Sequence, residues 1–414
     1  MQKIDIQKNI SDIKNGITRA MIISFVSTFI IGFLVHGYII TNKLPNHDDV
    51  GQLVDSMNRP ASGRWLLETA SNITSNFSMP WLNGVMAFFY IALTAMILTK
   101  LFQIKRSISA FLVGAILVSF PAWGAIFPFM SSVDAYALSL LLAVVSVFIL
   151  INYKYTLLPS IILFAMSLGI YQTFIGFAAG IALLYVLNIV INSDAQISHL
   201  SVVKLLIRMF FWLIGGVVLY YIIVKVTAPV LVDYQGISDM GNISFRMFIK
   251  SIINSYKQWF TFFFSQEFEF YLRGFRTIHF VLFFIFFLYT IWFLTLKNFT
   301  VFKKILFMLI VLLLPLASNL IYVVAPTSYV GLRMISGYTI FYLLFILLYE
   351  YGSETISLFN FSGSNKAWNV FAVSKVLVAI LISISIYNFT VTTNRAYFHL
   401  DIMFKNDYAY INRL

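Results

Sequence analysis

The chain has 414 residues, of which 60% are hydrophobic, 18% aromatic and only 11% charged, with a formal net charge of +12 and no cysteine. That balance excludes a soluble globular domain, which would show polar helix faces and charged turns at short intervals. The missing cysteines exclude disulfides, thiolate-held zinc and a thiol nucleophile.

Apolar runs of roughly 18 to 22 residues recur along the chain, the length a helix needs to cross a hydrocarbon core. Spans are expected near 20–40, 81–99, 108–128, 134–152, 156–170, 173–191, 205–225, 276–296, 305–324, 335–350 and 369–389. These make about eleven transmembrane helices in one all-α, polytopic integral membrane domain covering 1–414. Residues 1–19 carry Lys3, Lys8, Lys14 and Arg19 without a small-residue cleavage site, and read as an uncleaved cytoplasmic start. Between 156 and 192 the sequence reads either as two short helices meeting at "LGIYQTF" or as one span with a re-entrant piece, because Gly169 and Gly176 weaken the helix there.

Short loops set the orientation. "KLFQIKRS" and "LKNFTVFKK" are rich in Lys and Arg and belong in the cytoplasm. "GSETISLFNFSGSNK" reads as a further polar inner loop. Two long segments, 41–80 and 226–275, then face outward and carry half of the 16 acidic residues, with Asp48, Asp49, Asp55 and Glu68 in the first. From Phe245 to Phe263 the residues Phe245, Phe248, Ile249, Ile252, Tyr256, Trp259, Phe260 and Phe263 recur at helical spacing, with Arg246, Lys250 and Lys257 on the other side. That pattern predicts a helix lying in the membrane interface. The remaining basic residues are scattered at span ends instead of forming a stripe, so anionic membrane lipids, and not nucleic acid, are the expected partners of the positive charge.

The residues able to carry chemistry collect on the outer side. In "LPNHDDVGQLVDSMNRPASGRWLLE", 44–68, His47 stands beside Asp48 and Asp49. Asp49 and Gln52 have the spacing of a helix-capping pair, a structural use that Asp48 lacks. Arg64 and Glu68 are four apart and would share a helical face as a simple pair; alternatively the Arg64 guanidinium is a planar fork for phosphate oxygens. Arg333, at the outer edge of the tenth span, is a second such fork or a side chain snorkelling to the interface. Asp134 begins the fourth span as a favourable N-terminal acid, or with Tyr136 holds sugar hydroxyls. Tyr171 and Gln172 sit in apolar surroundings where unsatisfied polar groups are costly, so they bond to neighbouring helices or to a ligand. His36, inside the first span, reads as a packed or hydrogen-bonded histidine and not as a ligand. No P-loop, paired-histidine metal motif or G-x-S-x-G is present, and neither a cofactor nor a metal is expected, although adjacent carboxylates leave a divalent ion open.

Through "NHDDV", "SGRWLLE", "VDAY", "GIYQ" and the outer Arg333, the chain resembles the serotype-converting, O-antigen-type glucosyltransferases of the GT-C superfamily. The resemblance implies a bacterial cytoplasmic-membrane enzyme that takes glucose from a polyprenyl-phosphate carrier and attaches it to a lipid-linked or cell-surface glycan on the extracytoplasmic face. A donor synthase and a donor flippase would act beside it. It further implies that the first acid of the outer-loop pair, Asp48, is the catalytic base, with Asp49 next to it. Arg64 and Arg333 would then hold the donor phosphate, Lys250 and Lys257 would draw it in, and His47, Glu68, Asp134, Tyr136, Tyr171 and Gln172 would face the sugar and the acceptor. Two other functions fit the same layout. A lipid-linked glycan flippase would place ionisable groups at mid-membrane on repeated halves, which the sequence does not show. A glycan polymerase would share the outer loops but elongate repeat units.

Overall fold

A computed structural model describes residues 16–44, 60–192, 199–228, 230–232, 244–265, 268, 270–295, 299–325, 330–351 and 370–411, and among them every regular element is helical. The expected cytoplasmic start before residue 16, the Asp49–Gln52 cap and the polar loop beginning at 352 lie outside the described residues.

The helices are α1 (Arg19–Thr41), α2 (Leu67–Ser71), α3 (Pro80–Leu101), α4 (Ser107–Ser119), α5 (Pro121–Ile126), α6 (Val133–Asn152), α7 (Leu157–Ile170), α8 (Phe174–Asn192), α9 (His199–Thr227), α10 (Phe245–Phe264), α11 (Phe275–Thr295), α12 (Val301–Ser318), α13 (Ile321–Val324), α14 (Thr339–Tyr351) and α15 (Val370–Ile411). Local chemistry sets several boundaries. The Thr18 hydroxyl accepts the Met21 amide at 3.3 Å and opens α1, while Pro80 and Pro121 occupy first-turn positions of α3 and α5, where a missing N–H costs nothing.

Each expected span falls on a helix, but the count is lower by length. Among the described residues nine helical segments are long and apolar enough to cross a membrane; Leu157–Ile170 and Ser336–Tyr351 are shorter. The last span is much longer than expected. α15 runs for 42 residues, about 63 Å at the usual rise, because no Gly or Pro interrupts the chain after Val370.

The bundle is organised around α4, α8 and α14, the most buried helices. α1 packs on α3 and α4, α3 on α6, α6 on α7, α7 on α9, and α8 on α12 and α14, while α15 closes the ring against α1, α4, α11 and α14. Hydroxyls inside the bundle bond back to their own helices, as Ser24 does to Met21 O at 2.9 Å and Thr94 to Tyr90 O at 2.9 Å, so they cross apolar surroundings satisfied. His36 is fully buried. The break between α4 and α5 leaves end carbonyls without helical partners; His36 Nε2 donates to one of them, Val118 O, at 2.9 Å, which leaves Nδ1 to accept from Tyr397 Oη at 2.7 Å. His279 does the same for α10, donating through Nδ1 to Phe263 O at 3.0 Å and accepting from Tyr342 Oη at 2.6 Å.

α10 exists where the periodicity placed it, but its faces are used differently. It packs on α11, α12 and α13 through Ser251, Ser255, Thr261, Phe262 and Phe263, which are buried, whereas Phe245, Ile249, Ile253 and Phe260 are exposed. Small serines allow close approach: Ser255 O accepts from Asn319 Nδ2 at 2.8 Å, and Tyr256 Oη reaches Leu312 O at 2.7 Å. An apolar stripe in a membrane protein does not have to face protein, since lipid accepts it equally well.

Candidate active site at a recessed end of the bundle

Two of the apolar helices are too short to cross on their own. α7 has 14 residues and α14 has 13, about 20 Å each, where a crossing needs roughly 30 Å. At one end both lie flush with their neighbours. α7 follows the 20-residue α6 after a tight turn in which Thr156 Oγ1 donates to Ile149 O at 2.6 Å and Arg208 Nη2 to Tyr153 O at 2.6 Å. α14 ends with Glu350 Oε1 accepting the Lys105 and Arg106 amides at 2.9 and 3.2 Å, level with the start of α4. The opposite ends are the junctions 171–173 and 330–338, and the first lies about one turn inside the start of α6, because the Tyr171 ring packs 4.5 Å from that of Tyr136.

Residues 60–66 descend into this recess. The Leu66 amide donates to Gly169 O at 2.9 Å, and the Trp65 indole lies so close that a Cβ on Gly169 would stand 2.4 Å from its ring. Gly169 is thus required by a close approach, which is why the helix signal weakens there. Gly176, the other interruption, faces the Ser318 carbonyl, which a Cβ would meet at 2.3 Å. The region expected to be ambiguous is two helices, and the turn between them is packed and not solvated.

Tyr171 is the floor of the recess and is buried. The Arg64 guanidinium carbon is 5.4 Å from the centre of its ring, the Tyr136 ring lies 4.5 Å away, and Tyr171 Oη donates to Arg333 O at 3.5 Å. Arg333 in turn rests over Phe129, 4.8 Å from its ring centre. Burial pushes the Tyr171 phenol up; the Arg64 guanidinium pulls it partly back, Tyr136 pushes it up further, and Arg333 and the Thr173 hydrogen bond pull it down. With burial the largest influence, the phenol stays protonated at neutral pH and can donate. Gln172 fixes the descending segment instead of standing free: its Nε2 donates to Ser62 O at 3.1 Å and to Tyr220 Oη at 3.0 Å, and Tyr220 Oη passes a hydrogen bond to Gly63 O at 3.1 Å. Gly63 has φ +73°, a left-handed conformation that glycine adopts without strain and that turns Arg64 toward Tyr171.

The other expected site residues divide into three groups. Asp134 is buried and committed: Thr74 Oγ1 donates to it at 2.5 Å and Asn83 Nδ2 at 3.3 Å, tying the segment after α2 and the start of α3 to α6. Glu68 is exposed on α2; that helix starts only at Leu67, so Arg64 precedes it and the two do not share a helical face. Lys250 and Lys257 are exposed on α10, which is held by α12 and α13. His47, Asp48 and Asp49 lie outside the described residues. Among the described residues no three His, Asp or Glu side chains come together to hold an ion.

The structure thus brings Arg64, Tyr136, Tyr171, Gln172 and Arg333 together and adds Gly63, Trp65, Phe129 and Tyr220, which sequence reasoning did not select. For Gly63 and Trp65 the signal lay in "SGRW"; Phe129 and Tyr220 carried none, since each is one aromatic residue among many.

A family model described as Glucosyl transferase GtrII matches residues 37–349, which include every residue gathered in the recess and leave out α15. No curated protein and no solved structure matches the chain.

Proposed function

We infer from one premise, that the chain belongs to the GtrII glucosyl transferase family, the chemistry of its recessed end: an inverting transfer of glucose from a polyprenyl-phosphate donor to a lipid-linked or cell-surface glycan, on the outer face of the cytoplasmic membrane. The observation that supports this reading is the convergence of Arg64 and Arg333 around the buried Tyr171, whose ring packs on Tyr136 near the start of α6.

A donor of this kind has a tail that must stay in lipid and a sugar phosphate that needs polar surroundings. A depression at the membrane edge meets both needs at once. Each guanidinium presents a fork of donors suited to phosphate oxygens, and two of them offset the charge that grows on the phosphate as the bond to the sugar breaks. The protonated Tyr171 phenol adds a neutral donor. Asp48 takes the proton from the acceptor hydroxyl, whose oxygen bonds to the anomeric carbon on the face opposite the departing phosphate. The electron pair of the broken carbon–oxygen bond leaves on the phosphate, so no general acid is required. A β-linked donor then gives an α-linked product.

Within this scheme Gln172 and Asp134 position backbone segments, and Tyr136 packs on Tyr171. His47 and Glu68 are left to face the acceptor, and Lys250 and Lys257 to attract the anionic donor toward the entrance. The test uses purified protein, labelled polyprenyl-phosphate glucose and candidate acceptors. Asp48→Asn is expected to bind donor and transfer nothing above a residue of about one part in a thousand, whereas Asp49→Asn loses mainly stability. Full transfer by Asp48→Asn would remove the base. The same assay separates the other functions, since a polymerase elongates the acceptor repeatedly and a flippase leaves the donor covalently unchanged.

A further inference from the structure

At the flush end, four helices meet around two cations. Lys375, near the start of α15, is only 7% exposed and makes no hydrogen bond or ion pair with any of the described residues. Its neighbour Ser374 is anchored to α11 by Tyr289, the two hydroxyls 3.3 Å apart. Lys375 stands close enough to Arg106, the residue before α4, for their charges to repel, and Arg106 itself lies 5.8 Å from the ring centre of Tyr349 on α14. Glu350 lies at the same corner, where its carboxylate accepts the Lys105 and Arg106 amides and the Ser109 hydroxyl at the N-terminus of α4.

Two like charges at one corner, on packed helices and with one of them largely withdrawn from solvent, are costly unless an anion joins them. The elements that carry them also show what surrounds that corner. α4 and α15 pack on each other, and next to the cations they expose Ile108 at 54% and Val376 at 60%, with Phe111 and Ile380 one turn further along. Such side chains face acyl chains, so the anion at this corner arrives attached to lipid.

We propose that Arg106 and Lys375 bind the phosphate headgroup of an anionic phospholipid, whose acyl chains lie along α4 and α15. The site is at the end of the bundle opposite the recess and does not depend on the transferase reading. Lipid bound there clamps the start of α15 to α4, which no hydrogen bond from these two side chains does among the described residues.

The full chain in neutral detergent is titrated with phosphatidylglycerol, phosphatidylcholine or inorganic phosphate, and bound lipid is counted by native mass spectrometry alongside the melting temperature. The wild type is expected to retain phosphatidylglycerol in preference to phosphatidylcholine and to melt higher with it. Lys375→Met keeps the buried stem and removes the charge, and is expected to weaken retention roughly fivefold, the effect of one basic residue at a headgroup; Arg106→Gln does the same from the exposed side, and Lys375→Arg preserves binding. Equal retention by wild type, Lys375→Met and Arg106→Gln would overturn the proposal. So would equal binding of phosphatidylcholine, or stabilisation by inorganic phosphate as large as by the lipid, which would mark a free-anion site.

Discussion

At the flush end of the bundle Glu350 reaches from the last turn of α14 to the opening amides of α4, and Arg208 closes the turn between α6 and α7. At the recessed end Arg64 sits on a non-helical segment steered by Gly63, Gln172 and Tyr220, and Arg333 on a single 3-10 turn, laid over the rings of Tyr171 and Phe129 respectively. In the first region side-chain charge completes helix termini, and the helices would persist in some form without it. In the second a left-handed glycine, a buried phenol and a glutamine hold the backbone segments from which the two guanidiniums project. Helices that end level with their neighbours need only caps, whereas α7 stops about one turn inside the start of α6, and the polar groups gathered there are costly unless paired or bound to a ligand.

Three experiments sharpen or break that contrast. The largest effect is all or none. Because the chain has no cysteine, single cysteines at Thr69, exposed beside the recess, and at Tyr155, 86% exposed at the flush end, report sidedness directly. A membrane-impermeant maleimide is expected to label Thr69→Cys in intact cells, and Tyr155→Cys only after permeabilisation; the opposite pattern would put the recess in the cytoplasm. Next in size is Gly169→Ala, whose added carbon meets the Trp65 ring at 2.4 Å. It should cost about 1–3 kcal/mol in unfolding measurements and lower transfer by an order of magnitude or more, because the displaced segment carries Arg64. The smallest effect is Glu350→Gln, which removes a charge from the α4 N-terminus at the flush end. A loss of about 1 kcal/mol in stability with transfer unchanged is expected; a large loss of transfer would show that the two ends are not independent.

Much of the bundle was legible because lipid imposes a length on every crossing, and the positions of the expected spans all fall on helices. What was not legible follows from the same solvent. The apolar stripe of α10 indicated a helix but not the direction of its faces, since Phe245 and Ile253 are exposed while Ser251 is buried and Ser255 packs against Asn319. α15 outran its expected end because apolar length marks a crossing, whereas only a breaker residue marks a helix end. In the recess, Arg64, Tyr171, Gln172 and Arg333 could be singled out as polar groups in an apolar chain. Their partners could not: Asp134 is answered by Thr74 and Asn83, and Gln172 by Tyr220, through contacts that no local spacing encodes. The Arg64–Glu68 spacing suggested a helical pair that a late helix start removes.

The central claim is that Arg64 and Arg333 together hold the donor phosphate. Binding of labelled polyprenyl-phosphate glucose to the Arg64→Gln, Arg333→Gln double variant, compared with wild type at matched melting temperature, tests it most directly. The account predicts a loss of roughly a hundredfold or more in donor affinity, as two charge-assisted contacts imply; retention of wild-type affinity by a folded double variant would contradict it.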